Sequence, residues 1–162
     1  MTSRRLLGIY VVDHLAAATA GVALARRAAR NNAGNETGAF LLRLAEEIED
    51  DREALRRIVT SCGFEESKLK DAAAWAAEKV GRLKLNGQLR GYSPLSRVLE
   101  LEALSVGIAG KLALWRALQR VPEAEGFDLL ELRRLAERAE RQRAEVEEHR
   151  LSAATAAFSD RA

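Results

Sequence analysis

An all-α four-helix bundle is the fold this sequence predicts. Long stretches carry apolar residues at steps of three and four, the mark of helices that turn one face to a core. Helix start and stop signals bound those stretches. Two of the connections between them are short and one is long, which makes two hairpins joined by a crossover, in up-down-down-up order. A chain of 162 residues suits a single domain, here residues 1–162. With only 2 Pro in a chain 48% hydrophobic and 31% charged, long helices are expected.

The first helix is predicted over about residues 3–30. Leu6, Leu7, Tyr10, Val11, Leu15, Val22 and Leu24 cover a broad face, with His14 near its centre and Asp13 towards its edge. Ala17, Ala18, Gly21 and Ala25 follow on the same side and allow close approach of another helix. Arg26, Arg27 and Arg30 complement the negative end of the helix dipole. Arg4 and Arg5 before Leu6–Val12 loosely imitate a signal peptide. Asp13 and His14 interrupt that run, so we read a helix of the mature fold, no membrane span and a cytoplasmic protein.

Asn31–Glu36 reads as a loop, with Thr37 as N-cap of a second helix over about 38–62 that stops at Gly63. Its stripe is Phe40, Leu44, Ile48, Leu55, Ile58 and Cys62, and where another Leu belongs stands Asp51. A carboxylate there needs a partner, a proton or a metal, because burying it bare costs several kcal/mol. The long connection carries a shorter helix, about 67–84. Ser93-Pro94 opens a helix over about 94–121 that is apolar most of the way round, with its polar stripe near Arg97, Glu100 and Lys111. Glu102 projects nearly opposite that stripe. Asp128-Leu129-Leu130-Glu131 has the form of a capping box and opens the last helix, about 129–158. Its seam steps through Leu132, Leu135, Ala139, Gln142, Val146, His149 and Ala153, and its many Glu/Arg pairs read as a solvated face.

The polar residues in the seams fall into two pairs. Counted from the hairpin loops, His14 lies level with Asp51, and Glu102 with His149, to within about 3 Å at a rise of ~1.5 Å per residue. Glu47 and Glu145, one turn before Asp51 and His149, flank the same regions. Each acid–histidine pair reads either as a buried hydrogen-bonded pair that sets helix register or as metal ligands.

Two helical hairpins, a long crossover and inward acids and histidines together resemble the ferritin-like superfamily. In its metal-binding members two helices each give one Glu and two give Glu-x-x-His to a pair of iron or manganese ions. The resemblance implies a site from His14 or Asp13, Glu47 with Asp51, Glu102, and Glu145 with His149. Here the Glu47/Asp51 and Glu145/His149 spacings are four rather than three, and no Glu-x-x-His is present.

Composition narrows function. Lys plus Arg number 26 against 24 Asp plus Glu, a net charge of +2, and no basic block of nucleic-acid type stands out. No phosphate-binding Gly motif, nucleophile elbow, zinc signature or nucleotide fingerprint occurs. The single Cys62 makes no internal disulfide and reads as a small hydrophobe in a reducing compartment. Trp75, Trp115, Tyr10 and Phe158 read as core or interface fillers. Three classes remain. A non-catalytic bundle that self-associates, as a homodimer, or binds a protein partner is favoured by the broad apolar cover of the first and third long helices. An iron or manganese carboxylate–histidine metalloprotein, an oxidoreductase or metal carrier, is the alternative. A binder of small apolar ligands in the space left by Ala17, Ala18 and Gly21 is the third.

Overall fold

The computed structural model describes residues 3–61, 63, 92–121 and 126–159. Four helices make up the described chain: α1 (Ser3–Asn31), α2 (Glu36–Ser61), α3 (Pro94–Leu118) and α4 (Leu129–Phe158), with no strand among the described residues. The short helix expected over 67–84, with Trp75, and the side chain of Cys62 lie outside them.

Local chemistry sets the ends. Ser93 accepts from the Ser96 N–H at 3.1 Å, while the Ser96 hydroxyl accepts from the Ser93 N–H at 3.4 Å, so α3 starts with a reciprocal cap before Pro94. Asp128 Oδ1 accepts from the N–H groups of Leu130 and Glu131 at the start of α4. Glu131 does not complete a box there; its side chain reaches Arg57 on α2 at 3.0 Å. Thr37 was the expected cap of α2, but Asn35 takes that role, its Oδ1 accepting from the Gly38 N–H at 3.0 Å. Gly63, at φ +68, ends α2 as expected. At its other end α3 stops three residues short of Val121, where the chain tightens into turn bonds such as Arg120 N–H to Ala117 O.

The directions of the helices follow from which residues meet. Arg26 pairs with Glu49, so α1 and α2 are antiparallel across the turn at 32–35. Arg27, near the end of α1, meets Glu100, near the start of α3, so α3 runs parallel to α2. Arg116 with Glu140, and Arg43 with Glu145, set α4 antiparallel to both α3 and α2. Packing is close within each hairpin, lighter between α1 and α3, and sparse between α2 and α4. Gly38 sits where α2 begins against the turn: a Cβ there would lie 2.0 Å from the Asn32 carbonyl oxygen.

Leu41, Leu44, Leu55, Leu101, Leu114, Trp115, Leu118, Leu132 and Val146 form the centre of the core. Most of the stripes expected on α2 and α4 are buried, with Asp51 and Gln142 among them, while Ile58 and His149 are half-buried. For α3 the expectation is overturned. Its polar stripe faces in, with Glu100 buried and Lys111 nearly so, while Val106 is 74% exposed. A helix that is apolar nearly all round has no face that its own periodicity selects, and its buried partners decide the orientation instead. By length and average hydropathy α1 passes as long and apolar enough to cross a membrane, despite Asp13 and His14, with 33% of that stretch buried in the bundle.

Candidate functional site

At mid-height the three helices α2, α3 and α4 bring a cluster of charged and polar side chains together around Asp51, which is 1% exposed. Lys111 on α3 donates from Nζ to Asp51 Oδ2 and, at 2.6 Å, to Gln142 Oε1. Arg138 on α4 donates to Asp51 Oδ1 from Nε at 2.8 Å and from a terminal guanidinium N–H. Gln142 Nε2 donates to Glu47 Oε2 at 2.9 Å and more weakly to Asp51 Oδ2 at 3.4 Å. Two carboxylates and two cations meet, so the cluster is neutral as a whole. Both Asp51 oxygens accept charge-assisted bonds, which leaves neither free to act as a ligand or a base. Burial pushes the Lys111 ammonium below the usual lysine range, against the pull of Asp51.

His14 is not the partner of Asp51. It lines a cavity between α1 and α3 that also reaches Asp51, and it packs its ring edge-on against Tyr10, with centroids 4.7 Å apart. Burial lowers its pKa from the ordinary histidine value, while the charge of Asp13 opposes the shift. The second expected pair is not formed either. Glu102 is half exposed and meets Arg150 at 3.4 Å. His149 stacks on Phe40 at 4.1 Å, with Nδ1 3.5 Å from the Thr37 hydroxyl. Glu145 is exposed and paired with Arg43 at 2.8 Å. A rotation of about half a turn in which face of α3 looks inward moved the buried acid from Glu102 to Glu100.

Glu100 anchors a second polar cluster where α3 begins. It accepts from Arg27 Nε at 3.1 Å, Asn31 Nδ2 at 3.4 Å and the Tyr92 hydroxyl at 3.0 Å. Asn32, buried in the turn between α1 and α2, donates to Tyr92 Oη and to the Ala28 carbonyl, both at 2.8 Å. Burial pushes the Tyr92 phenol up to about 12, with Glu100 adding to the rise.

A dimetal centre does not fit these positions. Among the described residues no three His, Cys, Asp or Glu side chains form a group that could hold a metal ion. Glu47 and Asp51 stand together, but their neighbours are a lysine, an arginine and a glutamine. Sequence reasoning missed Lys111 and Arg138, which it assigned to solvated faces. One signal was present for the first: Lys111 is the only cation between Arg97 and Arg116, on a helix otherwise apolar at its level. Comparison with protein-family models, curated proteins and solved structures found no match. The fold and site thus define an all-α four-helix protein with a neutral buried charge cluster at its centre.

Proposed function

We propose that this chain is a ferritin-like helical bundle that works by self-association rather than by catalysis, and that α1 is the interface. The observation that carries the reading is that only a third of the long apolar stretch of α1 is buried within its own bundle. Leu6, Ile9 and Tyr10 are exposed on it, at 53%, 40% and 36%. Such a patch leaves apolar area for a partner to cover. The order and directions of the helices support the ferritin-like kinship of the architecture.

The charges around that patch favour a second copy as the partner. Arg5, Ile9 and Asp13 are all exposed and lie on one stripe, four residues apart. If α1 packs antiparallel on its copy with Ile9 at the two-fold axis, Arg5 of each copy faces Asp13 of the other. A two-fold contact makes the pair twice, because each residue of the patch meets its own complement.

Light scattering at tens of micromolar protein tests this. The expected mass is about twice the 17.8 kDa of the chain. Ile9→Glu places two carboxylates at the axis and should give a monomer. Asp13→Arg should weaken the dimer, and adding Arg5→Asp should restore it. A protein monomeric at every concentration, or a dimer indifferent to Ile9→Glu, would overturn the proposal.

A further inference from the structure

The exposed side of the α3–α4 hairpin carries charges at both ends of a shallow groove. Glu102 on α3 pairs with Arg150 on α4 at one end, and Arg116 on α3 pairs with Glu140 on α4 at the other. Between these pairs Ser105, Val106 and Ala109 form the α3 wall of the groove, and Arg143, Ala144 and Glu147 form much of the α4 wall. Val106 leaves 74% of its surface to solvent there. Arg143 makes no ion pair among the described residues.

The signs along this face are arranged about a single level. On α3, Glu102 and Arg116 each stand seven residues from Ala109. On α4, Glu140 and Arg150 each stand five residues from Glu145, and Arg143 and Glu147 each stand two from it. The two ion pairs join 102 to 150 and 116 to 140, so Ala109 and Glu145 lie at the same height. Turning the hairpin end over end about that level therefore puts an acid where each base was, and a base where each acid was. Three couples obey this rule, on two helices.

We propose that this face docks on the same face of a second copy, about a two-fold axis that crosses both helices at the level of Ala109. Each helix then lies antiparallel on its own equivalent. Glu102 of each copy meets Arg116 of the other, Arg150 meets Glu140, and Arg143 meets Glu147. The symmetry makes every one of these contacts twice. Val106 reaches the level of Ala113 of the other copy, and the small side chains of Ala109 and Ala144 let the helices come close. A foreign partner would need the same charges at the same spacings, whereas a second copy has them by construction. This contact is separate from the one on α1. Exposed ion pairs are individually weak, so it should form at higher concentration than the apolar patch of α1 requires.

The test uses Ile9→Glu, which takes away the α1 contact, followed by sedimentation equilibrium from about 10 μM to about 1 mM protein. The mass should rise from 17.8 kDa towards twice that value, and about 1 M salt should reverse the rise. In the same background Ala109→Glu sets two carboxylates at the axis and should keep the protein monomeric throughout. Arg143→Glu sets glutamate against Glu147, and Glu147→Arg sets arginine against Arg143, so each alone should weaken association about ten-fold. An equal mixture of these two variants restores an acid–base couple at both places and should associate as the Ile9→Glu background does. A residue that served only its own fold would not be rescued by mixing. A monomer at every concentration, a dimer indifferent to Ala109→Glu, or a mixture no stronger than its components would each overturn the proposal. Should Ile9→Glu remain dimeric even at 10 μM, the α1 reading fails, and Ala109→Glu still decides this one.

Discussion

Among the described residues the bundle buries two carboxylates, and it treats them differently. Asp51 lies at the centre, against two cations drawn from two other helices, with almost no access to water. Glu100 lies near the end, where α3 starts, with its side chain 8% exposed, against Arg27 as its one cation among the described residues and the neutral donors Asn31 and Tyr92. The deeper acid takes the stronger partners because desolvation rises with depth and must be offset by charge. The shallower one is satisfied by hydrogen bonds around one ion pair, close to water that can share the load.

The largest expected effect tests the deep end of that contrast. Asp51→Asn leaves Lys111 and Arg138 without their counter-charge and should cost about 3–5 kcal/mol in chemical denaturation. Replacing Asp51 by Leu and Lys111 by Met together should recover most of it, since Arg138, with a quarter of its side chain exposed, can turn to solvent. A single mutant within about 1 kcal/mol of the parent would mean that the cluster is not the buried ion site described here.

Glu100→Gln should cost less, about 1–3 kcal/mol, because neutral donors still have an acceptor. It carries a pH signature as well. In the parent, Tyr92 keeps its proton up to about 12, whereas an unfolded tyrosine loses it near 10. The folded state therefore binds more protons between those values, and stability falls as pH rises through that window. Without the Glu100 charge, the tyrosinate absorbance of Tyr92, followed in a Tyr10→Phe background, should appear at lower pH. An unchanged titration would show that Glu100 does not act on the phenol.

The smallest effect is expected at Glu102, which the sequence placed in the core. Glu102→Gln should change stability by no more than about 0.5 kcal/mol, because its pair with Arg150 is exposed. A loss as large as that of Glu100→Gln would put the buried face of α3 back where periodicity had it.

That contrast also shows where sequence reading succeeds. On α2 a single acid breaks an otherwise apolar stripe, so Asp51 announces itself, and the seam of α4 includes Gln142 for the same reason. Helix order and ends are legible because caps such as Ser93-Pro94 are local. The partners of Asp51 are not. Lys111 and Arg138 stand 60 and 87 positions away; Arg138 sits among the many charges of α4 with nothing local to single it out, and the isolation of Lys111 on an apolar stretch of α3 marks it without naming its partner. The histidines misled because equal height along a bundle does not make two side chains face each other: His14 turns to Tyr10 and His149 to Phe40.

The cluster around Asp51 also bears on how the two hairpins find each other. While they are apart, Asp51 on one and Lys111 and Arg138 on the other remain in water at no cost. Closure strips that water away and neutralises the charges in a single alignment. Sliding one hairpin by a helical turn, about 5.4 Å, would carry every partner out of hydrogen-bond reach and leave bare charges in an apolar seam. The ion cluster therefore penalises every other register of the two hairpins, whatever it adds to the stability of the finished bundle.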